Sequence, residues 1–174
     1  MRANDGLVFE IRQVQAEDWE LAKCVRLAAL ADAPDAFAST LAEELQLTEA
    51  DWRARAANNA AAETSACFLA LREGVPCGMA VGVLRADDAA LNALWVAANV
   101  RRLGVGTSLT AAVSTWARER GAARISLEVT TSSAGAIALY RRLGFVEASA
   151  SSCGARRAPA LHMQKPMQKP VHDR

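Results

Sequence analysis

The sequence has few of the residues that build metal sites and cysteine-dependent active sites. Its two histidines, His162 and His172, lie near the C-terminal end, and its four cysteines form no Cys-x-x-Cys pair. A zinc site, or any other metal site, is therefore not expected. A catalytic cysteine would find no histidine to activate it in the first 161 residues. We expect Cys24 and Cys67 to be buried free thiols in a reducing compartment.

Long apolar runs and a large excess of charge are also absent. No stretch approaches the roughly eighteen consecutive apolar residues that indicate a membrane span, and residues 1–6 lack the apolar core of a signal peptide. The formal net charge is +1, so no general field attracts nucleic acid or an anionic membrane. We therefore expect a cytoplasmic protein that binds neither.

The order of the apolar patterns predicts a single α/β domain. The chain has 174 residues, 52% of them hydrophobic, which is enough for one domain with its own core. Antiparallel hairpin patterns come first, and a β–α–β crossover pattern lies in the second half. This order predicts a mixed central sheet of about six to seven strands flanked by about four helices. We assign the domain to residues 1–165 and a flexible C-terminal tail to residues 166–174.

The most informative stretch is a glycine-containing turn between a strand pattern and a helix pattern. Gly104 and Gly106 allow the backbone to approach a ligand closely. The following helix presents unpaired N–H groups and the positive end of its dipole, which favour a pyrophosphate, and Arg101 and Arg102 add positive charge. A tight turn without a ligand explains the two glycines equally well. The turn is not a Walker loop, because no Gly-Lys-Ser/Thr ending follows it. It is not a Rossmann fingerprint either, because Leu109 stands where a third glycine would fall.

Further segments downstream fit the same pattern. A short strand is predicted at residues 124–129 and a helix at 134–143, ending at Gly144. With these segments the chain resembles the GNAT superfamily of N-acetyltransferases. The matching segments are Leu94-Trp95-Val96, Arg101-x-x-Gly104-x-Gly106, Leu127-Glu128-Val129 and residues 136–145. The strong match covers roughly residues 89–148, and upstream only the order of elements agrees.

The resemblance implies a single-domain GNAT-like fold and acetyl-CoA as co-substrate. In the family, the backbone of the strand before the glycine turn pairs with the pantetheine arm, and the turn itself holds the pyrophosphate. Ser133 occupies the position where the family commonly has an asparagine that hydrogen-bonds the cofactor, and Ala98 replaces a common proline. The implied cofactor-binding residues are Leu94, Trp95, Val96, Arg101, Arg102, Leu103, Gly104, Val105, Gly106, Thr107 and Ser133.

Two residues are candidates for proton transfer. Tyr140, the only tyrosine, lies where the family places a hydroxyl near the cofactor sulfur, and a phenol can protonate a leaving thiolate. A tyrosine with its ring in the core is the alternative. Glu128 is the candidate base, because strand alternation separates it from Leu127 and Val129 and a carboxylate is costly to bury. A glutamate in an arginine salt bridge is the alternative, and some family members use a water relay.

The acceptor is less well defined by the sequence. Residues 32–44, here called the acceptor segment, correspond to the part of the family that shapes the acceptor pocket. Asp35, Glu43 and Glu44 make this segment acidic, which suits a cationic amine, although solvated loop charge explains the same residues.

We therefore predict an N-acetyltransferase that acts on a primary amine of a small molecule by direct attack. The alternatives are a peptide or protein N-terminal or lysine acetyltransferase and a non-catalytic acyl-CoA-binding module. The spacing of twelve residues from Glu128 to Tyr140 resembles that of ribosomal-protein alanine acetyltransferases. The expected partners are acetyl-CoA and an amine acceptor, and a homodimer is left open.

Overall fold

The computed structural model describes residues 8–148 and 159–167, which form one mixed sheet with helices on both faces. The sheet has seven strands in the order β1-β2-β3-β4-β5-β7-β6, and only β4 and β5 pair in parallel. The strands are β1 (Glu10–Gln13), β2 (Ser65–Arg72), β3 (Val75–Arg85), β4 (Asp88–Val96), β5 (Arg124–Thr130), β6 (Val146–Glu147) and β7 (Ala160–Pro166). The helices are α1 (Trp19–Asp32), α2 (Leu41–Leu45), α3 (Glu49–Ala61), α4 (Val105–Glu119) and α5 (Ala134–Arg142).

Local sequence signals account for the main boundaries. The turn between β2 and β3 contains Glu73 and Gly74, both with positive φ, a conformation typical of two-residue hairpin turns. Helix α3 begins after Thr48, whose hydroxyl accepts from the Asp51 N–H while the Asp51 carboxylate accepts from the Thr48 N–H. Gly121, with φ of 82°, follows the end of α4. These elements confirm the predicted order of strands and helices.

Each face of the sheet carries its own hydrophobic core. The α1 face, covered by α1 and α3, buries alternate β2 side chains such as Cys67 and Leu69. The α4 face is covered by α4 and α5. It buries Phe68, which lies between Cys67 and Leu69 in the sequence and therefore points to the opposite side of the sheet. In β5, Leu127 and Val129 belong to the α4-face core. Because strand side chains alternate, Glu128 projects toward the α1 face.

The structure corrects the expectation for Cys24 and adds two details to the predicted fold. Cys24 is exposed rather than buried, because α1 turns Val25 and Ala29 toward the sheet. Helix α2 is a fifth α-helix, with Thr40 and Glu43 forming a capping box at its start. Strand β7 continues to Pro166, one residue beyond the predicted domain boundary, and most of the predicted tail lies outside the described residues.

Within the described ranges, no helix combines the length and the apolar character needed to cross a membrane.

Candidate active site

A cleft opens where β4 and β5 separate. The two strands pair in parallel only from Asp88 to Ala90 on β4, opposite Arg124 to Ser126 on β5. Beyond that point no pairing joins the two strands among the described residues, so backbone groups of both face the gap. The cleft has a volume of about 900 Å³ and lies between these strands, the start of α4, α5 and the end of α1.

A β-bulge shapes the β4 wall of the cleft. Opposite Met79 and Val81 of β3 stand Trp95 and Asn92 of β4, so β4 has one extra residue. Ala93 lies within this bulge with φ of 51°, an unusual conformation for a non-glycine residue. A bulge bends its strand and redirects the residues that follow. Of the predicted pantetheine residues, Leu94 lies in the bulge with Ala93, Trp95 and Val96 follow it, and all three line the cleft.

The loop from residue 101 to residue 107, here called the phosphate loop, forms a cradle for an anion. Arg102 and Gly104 both have positive φ, and alternating backbone conformations of this kind make anion-binding concavities. Gly104 is the N-cap of α4 and has no side chain to cap the N–H groups of the first turn. A Cβ on Gly104 would meet no heavy atom within 4 Å, so the space beside it is open. These features fit a pyrophosphate at the helix N-terminus.

The predicted cofactor residues divide into two groups. Arg101, Arg102, Gly104, Gly106 and Thr107 line the cleft together with the three residues of β4. Two others have side chains that point elsewhere: Val105 is buried in the α4-face core, and Leu103 is 46% exposed outside the cleft. Only the backbone of these two residues is available to a ligand in the cleft.

Glu128 and Tyr140 line the same cleft from different elements. Glu128 is half-buried in β5 beyond the last pair with β4. Tyr140 is buried on α5, and its ring packs edge-on against Phe145 with centroids 5.7 Å apart. The two candidate proton-transfer residues therefore flank the gap between β4 and β5. The tyrosine ring also belongs to the α4-face core, so its ring has a packing role whatever its hydroxyl does.

Ser133 lines the cleft at the N-cap of α5. Its hydroxyl lies 2.6 Å from the Thr130 hydroxyl at the end of β5, and its N–H donates to the Thr130 carbonyl. These bonds fix the turn between β5 and α5. A hydroxyl can donate and accept at the same time, so Ser133 keeps capacity for a ligand.

Asp32, the last residue of α1, joins the acceptor segment to the cofactor side of the cleft. Trp95 Nε1 donates to its Oδ2 at 2.9 Å, and Arg101 donates to the same oxygen. Arg101 Nε also donates to the Val96 carbonyl at 2.9 Å. The hydrogen bond from Trp95 lowers the pKa of Asp32 by more than burial raises it, and Arg101 lowers it further. Asp32 is therefore ionised at neutral pH.

The acidic residues predicted to face the acceptor do not line the cleft. Glu44 is buried and receives hydrogen bonds from Arg26, Ser39 and Arg55. Burial raises the pKa of Glu44, but these bonds outweigh it and hold the pKa below its ordinary value. Glu43 caps α2, and Asp35 lies on an exposed 3₁₀ turn. The carboxylate that the acceptor segment does present is Asp32, which the sequence reasoning missed.

None of the three cysteines in the described part of the chain lines the cleft. Burial raises the pKa of the Cys67 thiol to about 12 and also raises that of Cys77, so neither is a thiolate at neutral pH. Within residues 8–148 and 159–167, no group of three or more His, Cys, Asp or Glu side chains is arranged to hold a metal ion.

Comparisons with known proteins agree with this architecture. The sequence profile of the Acetyltransferase (GNAT) family matches residues 27–145. No curated protein sequence matches the chain.

Three solved structures illustrate the similarity. The yncA protein of Salmonella typhimurium, solved with its cofactor acetyl-CoA, has a TM-score of 0.74 at 16% identity, covering 96% of this chain and 98% of its own. The PaiA N-acetyltransferase of Thermoplasma acidophilum, in complex with coenzyme A, has a TM-score of 0.71 at 14% identity, covering 92% and 99%. The ribosomal-protein-alanine N-acetyltransferase of Brucella melitensis has a TM-score of 0.69 at 25% identity, covering 91% and 99%.

The first two similarities are of fold alone, but both of those proteins were solved with CoA or acetyl-CoA. The family profile spans most of this chain and includes the phosphate loop, Glu128 and Tyr140. The chain therefore belongs to the GNAT acetyltransferase family and is an acyltransferase that uses acetyl-CoA.

Proposed function

We propose that this protein transfers the acetyl group of acetyl-CoA to a primary amine of a small molecule by direct attack of the amine on the thioester. The observation that carries the proposal is the cleft between β4 and β5. It joins an anion cradle at the start of α4 to a carboxylate, Glu128, and a phenol, Tyr140. Acetyl transfer to an amine needs a held thioester, a base and a proton donor, and the cleft contains a candidate for each.

The phosphate loop and β4 hold the acetyl donor. N–H groups at the start of α4, with Arg102 beside them, bind the pyrophosphate. The unpaired edge of β4 after Ala90 offers backbone groups to the pantetheine amides. The thioester would supply the electrophilic carbonyl that the amine attacks. Binding along this whole length fixes the thioester carbonyl relative to the attacking amine, which removes much of the entropic barrier.

Glu128 is the general base in this proposal. An ammonium has no lone pair, so the acceptor first gives one proton to solvent and attacks as the neutral amine. As the N–C bond forms, the nitrogen becomes cationic, and the carboxylate of Glu128 takes a second proton from it. Its place on the α1 face of β5 is the same side on which the acceptor segment approaches the cleft.

Tyr140 is the general acid. When the C–S bond breaks, the sulfur leaves as a thiolate, and the phenol hydroxyl supplies its proton. Glu128 gains one proton and Tyr140 loses one, and exchange with solvent restores both groups. The ring of Tyr140, fixed by the core and by Phe145, holds the hydroxyl in one position.

A peptide acceptor is the second candidate. Its support is the similarity to the Brucella ribosomal-protein-alanine N-acetyltransferase and the matching spacing of Glu128 and Tyr140. The test is thiol release from acetyl-CoA against a panel of polyamines, aminoglycosides, amino acids and short peptides with N-terminal alanine. We expect turnover with a small amine. Turnover with peptides alone would favour the second candidate, and tight acetyl-CoA binding without any turnover would indicate a binding module.

A further inference from the structure

Five charged side chains among the described residues line the cleft. Arg101 and Arg102 belong to the phosphate loop, and Arg142 lies on α5. The two carboxylates, Asp32 and Glu128, lie toward the α1 face, where the acceptor segment forms the wall, and Asp32 is paired with Arg101. Arg102 and Arg142 suit an anionic donor, and the carboxylates on the acceptor side suit a cationic acceptor.

Asp32 has one oxygen that is held in place and one that is available. The indole N–H of Trp95 and the guanidinium of Arg101 both donate to Oδ2. Within the described part of the chain, no side chain or backbone N–H donates to Oδ1. An ionised carboxylate can accept about four hydrogen bonds, and the Asp32 side chain is 37% exposed beside the cleft. The hydrogen bonds to Oδ2 therefore fix the orientation of the carboxylate, and Oδ1 is open to a ligand.

The surroundings of Asp32 favour a ligand that is cationic and small. Trp95 packs with the α1-face core and lines the cleft beside Asp32, so it offers aromatic surface to an ammonium. Ala33 and Ala36 of the acceptor segment line the same wall and leave room next to the carboxylate. A cation at Oδ1 would form a charge-assisted hydrogen bond, which is stronger than one between neutral groups.

We propose that Asp32 selects the acceptor by binding a second amino group of it, so that the acceptor is a small diamine or polyamine. The inference rests on the function proposed above. The first amine reaches Glu128 uncharged and gives it a proton as the N–C bond forms, while the second remains an ammonium and donates to Oδ1 of Asp32. The bonds from Trp95 and Arg101 fix the distance between the two subsites. An acceptor with matching spacing between its two nitrogens is bound in the reactive orientation.

The experiment compares diamines with monoamines. A series of α,ω-diamines and alkyl monoamines of equal carbon number is assayed by thiol release with the full chain at saturating acetyl-CoA. The variants are Asp32→Asn, Asp32→Glu and a matched control, Asp35→Asn, which removes an exposed carboxylate three residues away that does not line the cleft. Calorimetry with acetyl-CoA checks that each variant still binds the donor.

We expect the wild type to prefer the best diamine over its monoamine by ten- to a hundredfold in kcat/KM, the value of one hydrogen bond to a charged group. Asp32→Asn should remove most of this preference by raising the KM for the diamine, and it should leave kcat/KM for the monoamine nearly unchanged. Asp32→Glu, which carries its charge one methylene farther, should restore the preference with the optimum at a shorter diamine. Asp35→Asn should behave like the wild type.

Two results would overturn the inference while leaving the proposed function intact. One is equal use of monoamines and diamines by the wild type. The other is an equal loss for both in Asp32→Asn, which would make Asp32 only a structural link between α1 and β4. Absence of thiol release with every amine would instead reject the proposed function, and this inference with it. If Asp32→Asn fails to fold, the shift of the optimum in Asp32→Glu decides.

Discussion

Replacement of Gly104 by aspartate tests the phosphate loop at its most sensitive point. Gly104 caps α4 with φ of 88°, and a Cβ there would meet no heavy atom within 4 Å. The substitution therefore adds backbone strain without a steric clash. A non-glycine residue in the left-handed region costs roughly 1–2 kcal/mol, and aspartate tolerates it better than most. We expect a folded variant with a melting temperature lowered by roughly 2–8 °C.

Donor binding should suffer much more than stability. The new carboxylate would stand beside the N–H groups that receive the pyrophosphate, and it would also occupy them as a helix cap. Two unit charges about 5 Å apart repel by about 3 kcal/mol at an effective dielectric constant of about 20. That energy corresponds to a loss of more than about a hundredfold in the Kd for acetyl-CoA.

Titration calorimetry with acetyl-CoA measures this loss, and Gly104→Asn is the matched control. Asparagine has the shape of aspartate and the same tolerance for positive φ, but it carries no charge. We expect the asparagine variant to bind within about tenfold of the wild type, since it adds strain without repulsion. Equal affinities of the aspartate and asparagine variants would refute the assignment, because the charge would then have no anion to repel.

Three further predictions concern Glu128, Tyr140 and Glu44. Glu128→Gln should lower turnover by about a hundredfold, most at low pH where free amine is scarcest, and an unchanged pH–rate profile would move the base to water or to the acceptor segment. Tyr140→Phe should lower kcat by roughly a hundredfold with acetyl-CoA affinity and melting temperature nearly unchanged, whereas lower stability with kcat preserved would indicate a packing role alone. Glu44→Gln leaves the charges of Arg26 and Arg55 without a carboxylate. It should lower the free energy of unfolding by somewhat less than the roughly 3–5 kcal/mol lost when a fully buried pair is broken, because Arg55 is partly exposed. Because the arginine and serine bonds outweigh burial and hold the Glu44 pKa below its unfolded value of 4.5, this stability is present above pH 4.5 and is lost as the pH falls. Denaturant unfolding at neutral and acidic pH should therefore show a smaller pH dependence in Glu44→Gln, and an undiminished one would contradict the assignment.

The parts of the fold that depend on neighbouring residues could be predicted from the sequence. The start of α3 is defined by the hydroxyl of Thr48 and the carboxylate of Asp51, two residues of one four-residue segment. Alternation in β5 separates Glu128 from Leu127 and Val129, and the structure agrees, since both neighbours are buried in the α4-face core and Glu128 is only half-buried. Helix α2 was missed, although its capping box at Thr40 and Glu43 has the same form as the one before α3. Five helical residues are too few to give a periodic pattern.

The features that depend on distant contacts could not be predicted. Asp32 is bound to Trp95 and to Arg101, which lie 63 and 69 residues away in the sequence. Glu44 looked like a solvent-facing acid, but its partners include Arg26 on α1, and the network buries it. The bulge at Ala93 has no glycine to signal it, and only the register of β3 with β4 shows it. Short-range patterns indicate which face of an element is apolar, and they carry no information about which polar groups meet across the fold.

The cleft between β4 and β5 is proposed to catalyse acetyl transfer from acetyl-CoA to a small amine. The most direct test is simultaneous measurement of CoA release and acetylated product, by mass spectrometry, with the wild-type chain and the amine panel. We expect at least one small amine to be acetylated in equal amount to the CoA released, and Gly104→Asp to abolish both at a donor concentration that saturates the wild type. Tight binding of acetyl-CoA with no acetylated product from any amine, or products from peptides alone, would contradict the proposal.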